Sequence, residues 1–408
     1  MIDKTVLQAY TQKAEAELRG NILSFWIQHA VDRQRGGFYG QISNDLQVDE
    51  DAIRGSLLSA RILWTYSAAY RRYRDPAYLE MARWAYDDLV TRFWDEKYGG
   101  LYWSAKADGI PVKARKQIYG QAFGIYGLSE FYRAAGDREA LSRAIDLYRA
   151  IEAHSYDPEH GGYLEAYTRE WQIEEDLRLS DVDMNEKRSM NTHLHVMEAY
   201  ANLLRAWEDE GLALRQTELV DVVMHRIVDP ATYHTITFFD ERWTPRSDHI
   251  SYGHDIEASW LLVESAEMLG DEALIQEARA LALHMARATL AEGMTADGGM
   301  LYEATPAGIV ESNTEWWPQA EAVVGLINAY QLSSEPHFLR AALKSWDYIE
   351  DHLVDRTHGE WFRYVTREGA VGRDAFKVSF WKCPYHNGRA CMEMIDRLTD
   401  IQHENAEA

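Results

Sequence analysis

The chain has 408 residues, 46% hydrophobic and 26% charged, which excludes a disordered or collagen-like polymer. Against 66 Asp and Glu stand only 42 Lys and Arg, a formal charge of −24, so long-range repulsion opposes a nucleic-acid backbone or an anionic membrane as partner. There is no apolar run long enough to span a bilayer, Met1–Lys4 does not open a signal peptide, and Cys383 and Cys391 are too few for a disulfide framework; a cytoplasmic, reduced protein is expected.

In chain order, an N-terminal helix is predicted near 5–30. A short signature follows, DRQRGGFYG from Asp32: an acidic residue, polar residues, a glycine pair, then aromatics. Two helices come next. The first, 55–73, carries Leu57, Arg61, Trp64 and Ala68 on one stripe, and the second spans 76–93. The signature returns as DEKYGGLYW from Asp95, before helices 119–135 and 138–154. Gly136-Asp137 splits this pair, a stop followed by an N-cap residue type. DPEHGGYLE from Asp157 leads into a polar stretch, Thr168–Lys187, and helices 190–210 and 213–227. A degenerate copy, DPATYHTITFFDERW from Asp229, precedes helices 254–269 and 271–290. ADGGMLYE from Ala296 precedes 317–333 and 336–353, and DRTHGEWFRYV from Asp355 precedes a last helix at 386–401.

With Gly36, Gly99, Gly161, His234, Gly298 and Gly359 as markers, the spacings are 63, 62, 73, 64 and 61 residues, so six units fill the chain. Twelve helices alternate with Gly-aromatic hairpins. Six helical hairpins can stack as an open solenoid or close into a ring. The inner-helix candidates are apolar nearly all round and need an outer layer, which favours closure. The expectation is all-α, an (α/α)6 barrel with short β-hairpins in its loops. It forms one domain over 1–402, with a frayed tail at 403–408.

In such a barrel the inner helices run the same way, and their N-terminal ends share one rim. Arg61, Tyr119, Asn191, His195, His254, Glu257, Trp317, Glu321 and His386 all fall there on the period of the repeat, with Trp381 just before the last helix. Each admits a structural role. Arg61 can snorkel or pair with a carboxylate, and Glu257 can pair with His254 or Arg61. Of the adjacent Trp316 and Trp317, one is expected to turn away from the centre. His193 and His195 project to different sides, and no HExxH or Cys/His cluster exists, so no metal is expected. Three rim histidines suit proton transfer near neutral pH. Glu257 and Glu321 leave a glycosidase open, since that chemistry needs a carboxylate pair. A non-catalytic sugar-binding protein would be expected to lack the three histidines.

At these positions the chain resembles the N-acylglucosamine 2-epimerase superfamily, and most closely its cellobiose 2-epimerase branch. The matching strings are SARILWTYSAAY, KQIYGQAFGIYGLSEFYRA, RSMNTHLHVMEAYANLLR, FFDERWTPRS, SYGHDIEASWLL, WWPQAEAVVGLINAYQ and FWKCPYHNGRA, in register from about residue 20 to 400. The resemblance implies an (α/α)6 barrel that inverts C2 of the reducing-end sugar of β-1,4-linked disaccharides (cellobiose, mannobiose, lactose) without a cofactor. It implies His254 and His386 as the acid–base pair and His195 as a group assisting ring opening. Arg61 would hold the enediolate oxygen, and Glu257 would orient His254 or help open the ring. Tyr119 and Asn191 would hydrogen-bond the open sugar, with Glu321 beside them in the binding set. Trp317 and Trp381 would stack on the sugar, and a loop within Thr168–Lys187 would close over it. A mannose 2-epimerase or aldose–ketose isomerase on the same scaffold shares the enediolate. The partner expected is a neutral disaccharide or monosaccharide, bound by a monomer or homodimer.

Overall fold

The computed structural model describes residues 3–372 and 374–407, with side chains to residue 404. Twelve α-helices occur among the described residues: α1 Lys4–Ala16, α2 Ser56–Tyr73, α3 Pro76–Asp88, α4 Ile118–Ala135, α5 Arg138–His154, α6 Met190–Leu204, α7 Glu210–Val222, α8 Tyr252–Leu269, α9 Glu272–Glu292, α10 Trp316–Ser333, α11 Pro336–Tyr348 and α12 Tyr385–Glu407. Wider π turns continue four of the six outer helices: α1 runs on through Glu17–Leu23 and Trp26–Ala30, α3 through Leu89–Phe93, α7 through Val223–Ile227 and α11 through Ile349–Leu353. The expected tail at 403–408 falls at the end of α12, and Ala408 lies outside the described residues.

Four helix pairs turn on two residues. The first is left-handed and the second opens the next helix: Arg74-Asp75, Gly136-Asp137, Gly270-Asp271 and Ser334-Glu335. The three aspartates accept from backbone N–H groups of the following first turn, the N-cap bond that a helix start otherwise lacks. The third pair differs from expectation. α6 stops at Leu204, not 210, and four residues pass before Asp209 caps α7.

The even-numbered helices form a closed ring: α2 packs on α4, α4 on α6, α6 on α8, α8 on α10, α10 on α12 and α12 on α2. They are buried almost all round; α4 exposes little beyond its last turn. A Cβ on Gly127 would lie 2.6 Å from the Ala60 carbonyl oxygen, so the α2–α4 approach requires glycine there. The outer helices bury one face, as in α5 with Ala140, Ala144, Leu147, Tyr148 and Ile151.

Each signature is a tight turn closed by the same bridge: Val31–Phe38, Trp94–Leu101, Tyr156–Tyr163, Val228–Thr235, Met294–Met300 and Val354–Trp361. In the degenerate copy Tyr233, one residue before the His234 marker, takes the left-handed backbone that glycine takes elsewhere. The strand before each inner helix pairs with the strand after the next signature. Arg54–Gly55 pairs with Ser104–Ala105, Lys116–Gln117 with Ala166–Tyr167, Arg188–Ser189 with Phe238–Phe239, Ile250–Ser251 with Glu303–Thr305 and Thr314–Glu315 with Tyr364–Val365. The sixth, Phe376–Val378, returns to Gln41–Ser43 and closes the circle. That pairing makes a closed (α/α)6 barrel and excludes an open solenoid. No helix among the described residues is long and apolar enough to cross a membrane.

Candidate active site

Five of the six inner helices are pinned near their starts to a signature hairpin by one polar side chain, and on α2 the corresponding Ser59 donates to Asp88 of α3 instead. Gln121 bonds Leu101 through both its amide atoms (2.7 and 2.9 Å), and His193 Nε2 accepts from the Tyr163 N–H at 2.9 Å. Asp255 accepts from the Thr235 N–H at 2.7 Å, Gln319 donates to the Met300 carbonyl at 3.2 Å, and Asn387 donates to Glu360. His193 therefore faces away from the axis, as its position in the sequence predicts. Two residues beyond these pins stand Phe123, His195, Glu257, Glu321 and Arg389, and Arg61 follows Ser59 at the same interval on α2. A fixed helical offset repeated six times brings these side chains together.

Above them lies a cavity of about 290 Å³, lined by Arg61, Tyr119, Asn191, His195, His254, Glu257, Trp317, Trp381 and His386. Nine of the ten expected site residues thus share one chamber. Glu321 does not line it: fully buried, it sits behind His386, accepting from His386 Nδ1 at 2.7 Å and from Trp260 Nε1 at 3.0 Å. Trp316 and Trp317 both line the chamber, against the expectation that one turns away, because Trp316 closes the wall from the helix start while Trp317 reaches inward. The Trp317 ring lies 4.6 Å from the His254 ring and 5.6 Å from that of His386, centroid to centroid.

Partners divide the histidines. His254 Nδ1 lies 2.8 Å from the Ser251 hydroxyl, and it is this hydroxyl, not Glu257, that orients the ring. His195 Nδ1 meets Glu198 Oε2 at 2.8 Å, and His386 is backed by Glu321. Burial lowers all three imidazoles, His254 to about 3 and His386 well below its ordinary value. A neutral imidazole is a proton acceptor, and a carboxylate behind it stabilises the imidazolium once formed.

Arg61 is buried and has no carboxylate within 4.0 Å among the described residues. Its Nη2 donates to the Tyr119 hydroxyl at 2.6 Å and its Nη1 to the Trp381 carbonyl at 3.4 Å. The guanidinium rests 4.2 Å from the Phe123 ring and 5.0 Å from that of Tyr385. Its charge is therefore not neutralised by a carboxylate in contact with it.

Glu257 pairs with neither His254 nor Arg61. Its partner is Arg389, whose Nη2 donates to Glu257 Oε1 and Glu321 Oε1 at 2.7 Å each while its Nη1 donates to Glu198. Glu257 Oε2 is left without a partner. Burial and the neighbouring Glu321 push the Glu257 carboxyl well above the ordinary range, and burial raises Glu321 as well. For Glu198 burial pushes up, but Arg389 and His195 hold it at about 2. Glu257, Glu321 and His386 place donor atoms within 4.8 Å of one another, yet Arg389 already supplies the positive charge to both carboxylates and occupies the place a metal ion would need.

Sequence reasoning missed Arg389 and Tyr385. The signal was present: both sit on α12 in an otherwise apolar face, one turn apart around His386. It also missed Tyr302, Glu303, Glu315 and Arg363, which lie in or next to the short strands between the helices, too short to show a periodicity of their own. The 168–187 segment contributes Leu179, Ser180, Val182 and Asp183. A second chamber of about 210 Å³ opens alongside, sharing Asn191, His254 and Glu303 and continuing past Met184, Phe238 and His249.

The profile of the N-acylglucosamine 2-epimerase family matches residues 37–386. The chain is 46% identical to a cellobiose 2-epimerase of Bacteroides fragilis, covering 94% of this chain and 98% of that one. It is 38% identical to a cellobiose 2-epimerase of Dictyoglomus turgidum, with 93% and 97% covered. The solved cellobiose 2-epimerase of Bacillus thermoamylovorans superposes with a TM-score of 0.92 at 38% identity, over 96% of this chain and all of that one. With the profile spanning most of the barrel and similarity maintained from end to end, the chain belongs to the N-acylglucosamine 2-epimerase family and is an isomerase of the carbohydrate-epimerase kind.

Proposed function

We propose that the protein inverts C2 of the reducing-end sugar of β-1,4-linked disaccharides such as cellobiose, mannobiose and lactose, through the open-chain aldehyde and a cis-enediolate. The observation that carries this is the pair of imidazoles against one indole, His254 on a hydroxyl and His386 on a carboxylate. Ring opening moves the anomeric proton away from O1 and returns one to O5, and Glu257 with His195 serves that transfer. The neutral imidazole of one histidine then takes the C2 hydrogen as a proton. The C–H electrons form the C1–C2 double bond and the carbonyl electrons settle on O1, where the unpaired charge of Arg61 faces them. The other histidine, as imidazolium, gives a proton to the opposite face of C2, so the proton count of the pair is unchanged. In the reverse direction the two exchange roles.

Two adjoining chambers favour a two-ring sugar over a monosaccharide. Glu257 and Glu321 share one guanidinium and so lie on one side of the chamber, and Glu321 is screened by His386. That arrangement disfavours a glycosidase, whose carboxylates flank the bond. Incubation with cellobiose, lactose, mannobiose, glucose and mannose, followed by chromatography of the products, tests the reading. The expected result is C2 epimers of the disaccharides, with little ketose. Release of monosaccharide, or conversion of mannose alone, would contradict it.

A further inference from the structure

Arg389 takes no part in the proton transfer proposed above, yet it binds the carboxylates behind it. Its guanidinium is buried at the centre of the ring, on the axis side of α12. It binds carboxylates from three other helices: Glu198 on α6, Glu257 on α8 and Glu321 on α10. It also donates to the Tyr385 hydroxyl, which itself donates to Glu198. The Trp260 ring lies 4.7 Å from one side and the Tyr385 ring 4.3 Å away. The three carboxylates meet at one cation, so the guanidinium fixes their places relative to one another.

We propose that Arg389 is the positioning residue of this site: by tying Glu198, Glu257 and Glu321 together it keeps Glu321 on His386 and Glu198 on His195, and it holds Glu257 by Oε1 alone, leaving Oε2 unpartnered. The proposal rests on the acid–base reading above and adds to it the cause of the asymmetry between the two imidazoles. Two of the three carboxylates it binds are each a single hydrogen bond from a rim histidine: Glu198 with His195 and Glu321 with His386. The charged and titratable groups facing it are Glu198 and His195 from α6, Glu257 and Glu264 from α8, Glu321 from α10, Tyr126 from α4, Arg61 from α2, and Tyr385, His386 and Glu393 from α12. Its charge acts on His386 to lower the imidazole and on Glu198 to keep it ionised.

The far side of Arg389 is accessible. A cavity of about 290 Å³ at the opposite mouth of the barrel reaches it between Trp64, Tyr126, Trp260 and Met392. Removing the side chain therefore leaves a guanidinium-sized space open to solvent from the end of the barrel that holds no substrate.

The test compares Arg389→Lys, Arg389→Met and Arg389→Ala with the wild type, each first shown by circular dichroism to be folded. Imidazole signals of ¹⁵N-histidine-labelled protein are titrated without sugar. In Arg389→Met the His386 titration should move up by at least one pH unit, with a smaller move in the lysine variant. With sugar, the acid limb of kcat/KM should move up in parallel, KM should change less than kcat, and guanidinium chloride at non-denaturing concentration should restore Arg389→Ala at least tenfold and saturably. A structural role alone would lower activity without moving either titration and without rescue, and that outcome would overturn the proposal. If Arg389→Met fails to fold, the Arg389→Lys titration decides: an unmoved His386 signal overturns it. Absence of epimerisation by the wild type would remove the reading of function while leaving the titration able to support or refute the role of Arg389.

Discussion

At the scale of single residues the site is a matter of which partner stands behind each imidazole. General acid–base groups contribute on the order of 10²–10⁴-fold, so His254→Ala and His386→Ala should each lose about that factor in kcat. Turnover near the wild-type rate in either would remove that residue from the proton transfer. Glu321→Gln separates the two. It leaves His254 and Ser251 untouched and removes the counter-charge 2.7 Å from His386, so the imidazolium is disfavoured. The acid limb of kcat/KM, the one His386 sets as base, should then move down by about 1–3 pH units. An unmoved limb would show that His386 titrates independently of Glu321. Arg61→Met should lower kcat by about 10²–10³-fold, as loss of a preorganised oxyanion donor does, and a change confined to KM would assign Arg61 to binding alone. Nine residues of this chamber were legible in the sequence because they recur at or just before the starts of successive inner helices. Arg389 as the partner of Glu257 was not, since the two are 132 positions apart and meet only when the ring closes.

At the scale of elements, the signature hairpins explain why the inner helices start where they do. The acidic residue of the signature does two things. Asp95 accepts the backbone N–H groups of Lys97 and Tyr98, and it pairs at 2.9 Å with Lys116, which lies in the strand feeding α4. Asp32 with Arg54, Asp157 with Arg188 and Asp355 with Lys377 repeat the device. The sequence showed the acidic residue and not its cation, because the partner sits about 20 residues on in a short strand with no periodicity. Lys116 and Asp95 are both fully buried, so Lys116→Met should cost about 3–5 kcal/mol in urea unfolding by leaving a buried charge short of its partner. A loss under about 1 kcal/mol would mean that Arg169, also bound to Asp95, suffices. Burial alone would raise these four aspartates, but backbone N–H groups and the paired cations hold them below the ordinary value. A carboxylate lowered in the folded state stabilises the fold above its unfolded value near 3.9 and ceases to as pH falls through the folded one. Calorimetry should therefore show a Tm insensitive to these groups at neutral pH and falling below about pH 4; a Tm rising with acid there would contradict the pairing.

At the scale of the whole molecule, the strand Phe376–Val378 against Gln41–Ser43 and α12 against α1 and α2 join the last unit to the first. His386 reaches the chamber only through that closure, which makes the barrel and the site one object. The six-unit order and the helix pairs were readable from the spacing of the signatures. The end of α6 was not, because the third pair replaces the two-residue turn of the other pairs with a longer connection. The charge of −24 has a consequence for a neutral sugar: with no net charge on the substrate, kcat/KM should change less than about twofold between low and 0.5 M salt. A steep salt dependence would point to an ionic substrate.

The most direct measurement follows hydrogen at C2. Cellobiose incubated with the protein in deuterated water and followed by NMR should yield its C2 epimer carrying deuterium at C2, and with continued incubation the remaining cellobiose should acquire it as well. Loss of that exchange in His254→Ala and His386→Ala would place both imidazoles on the C2 hydrogen. Epimer formed with hydrogen retained at C2 would contradict the transfer through two solvent-exchanging histidines.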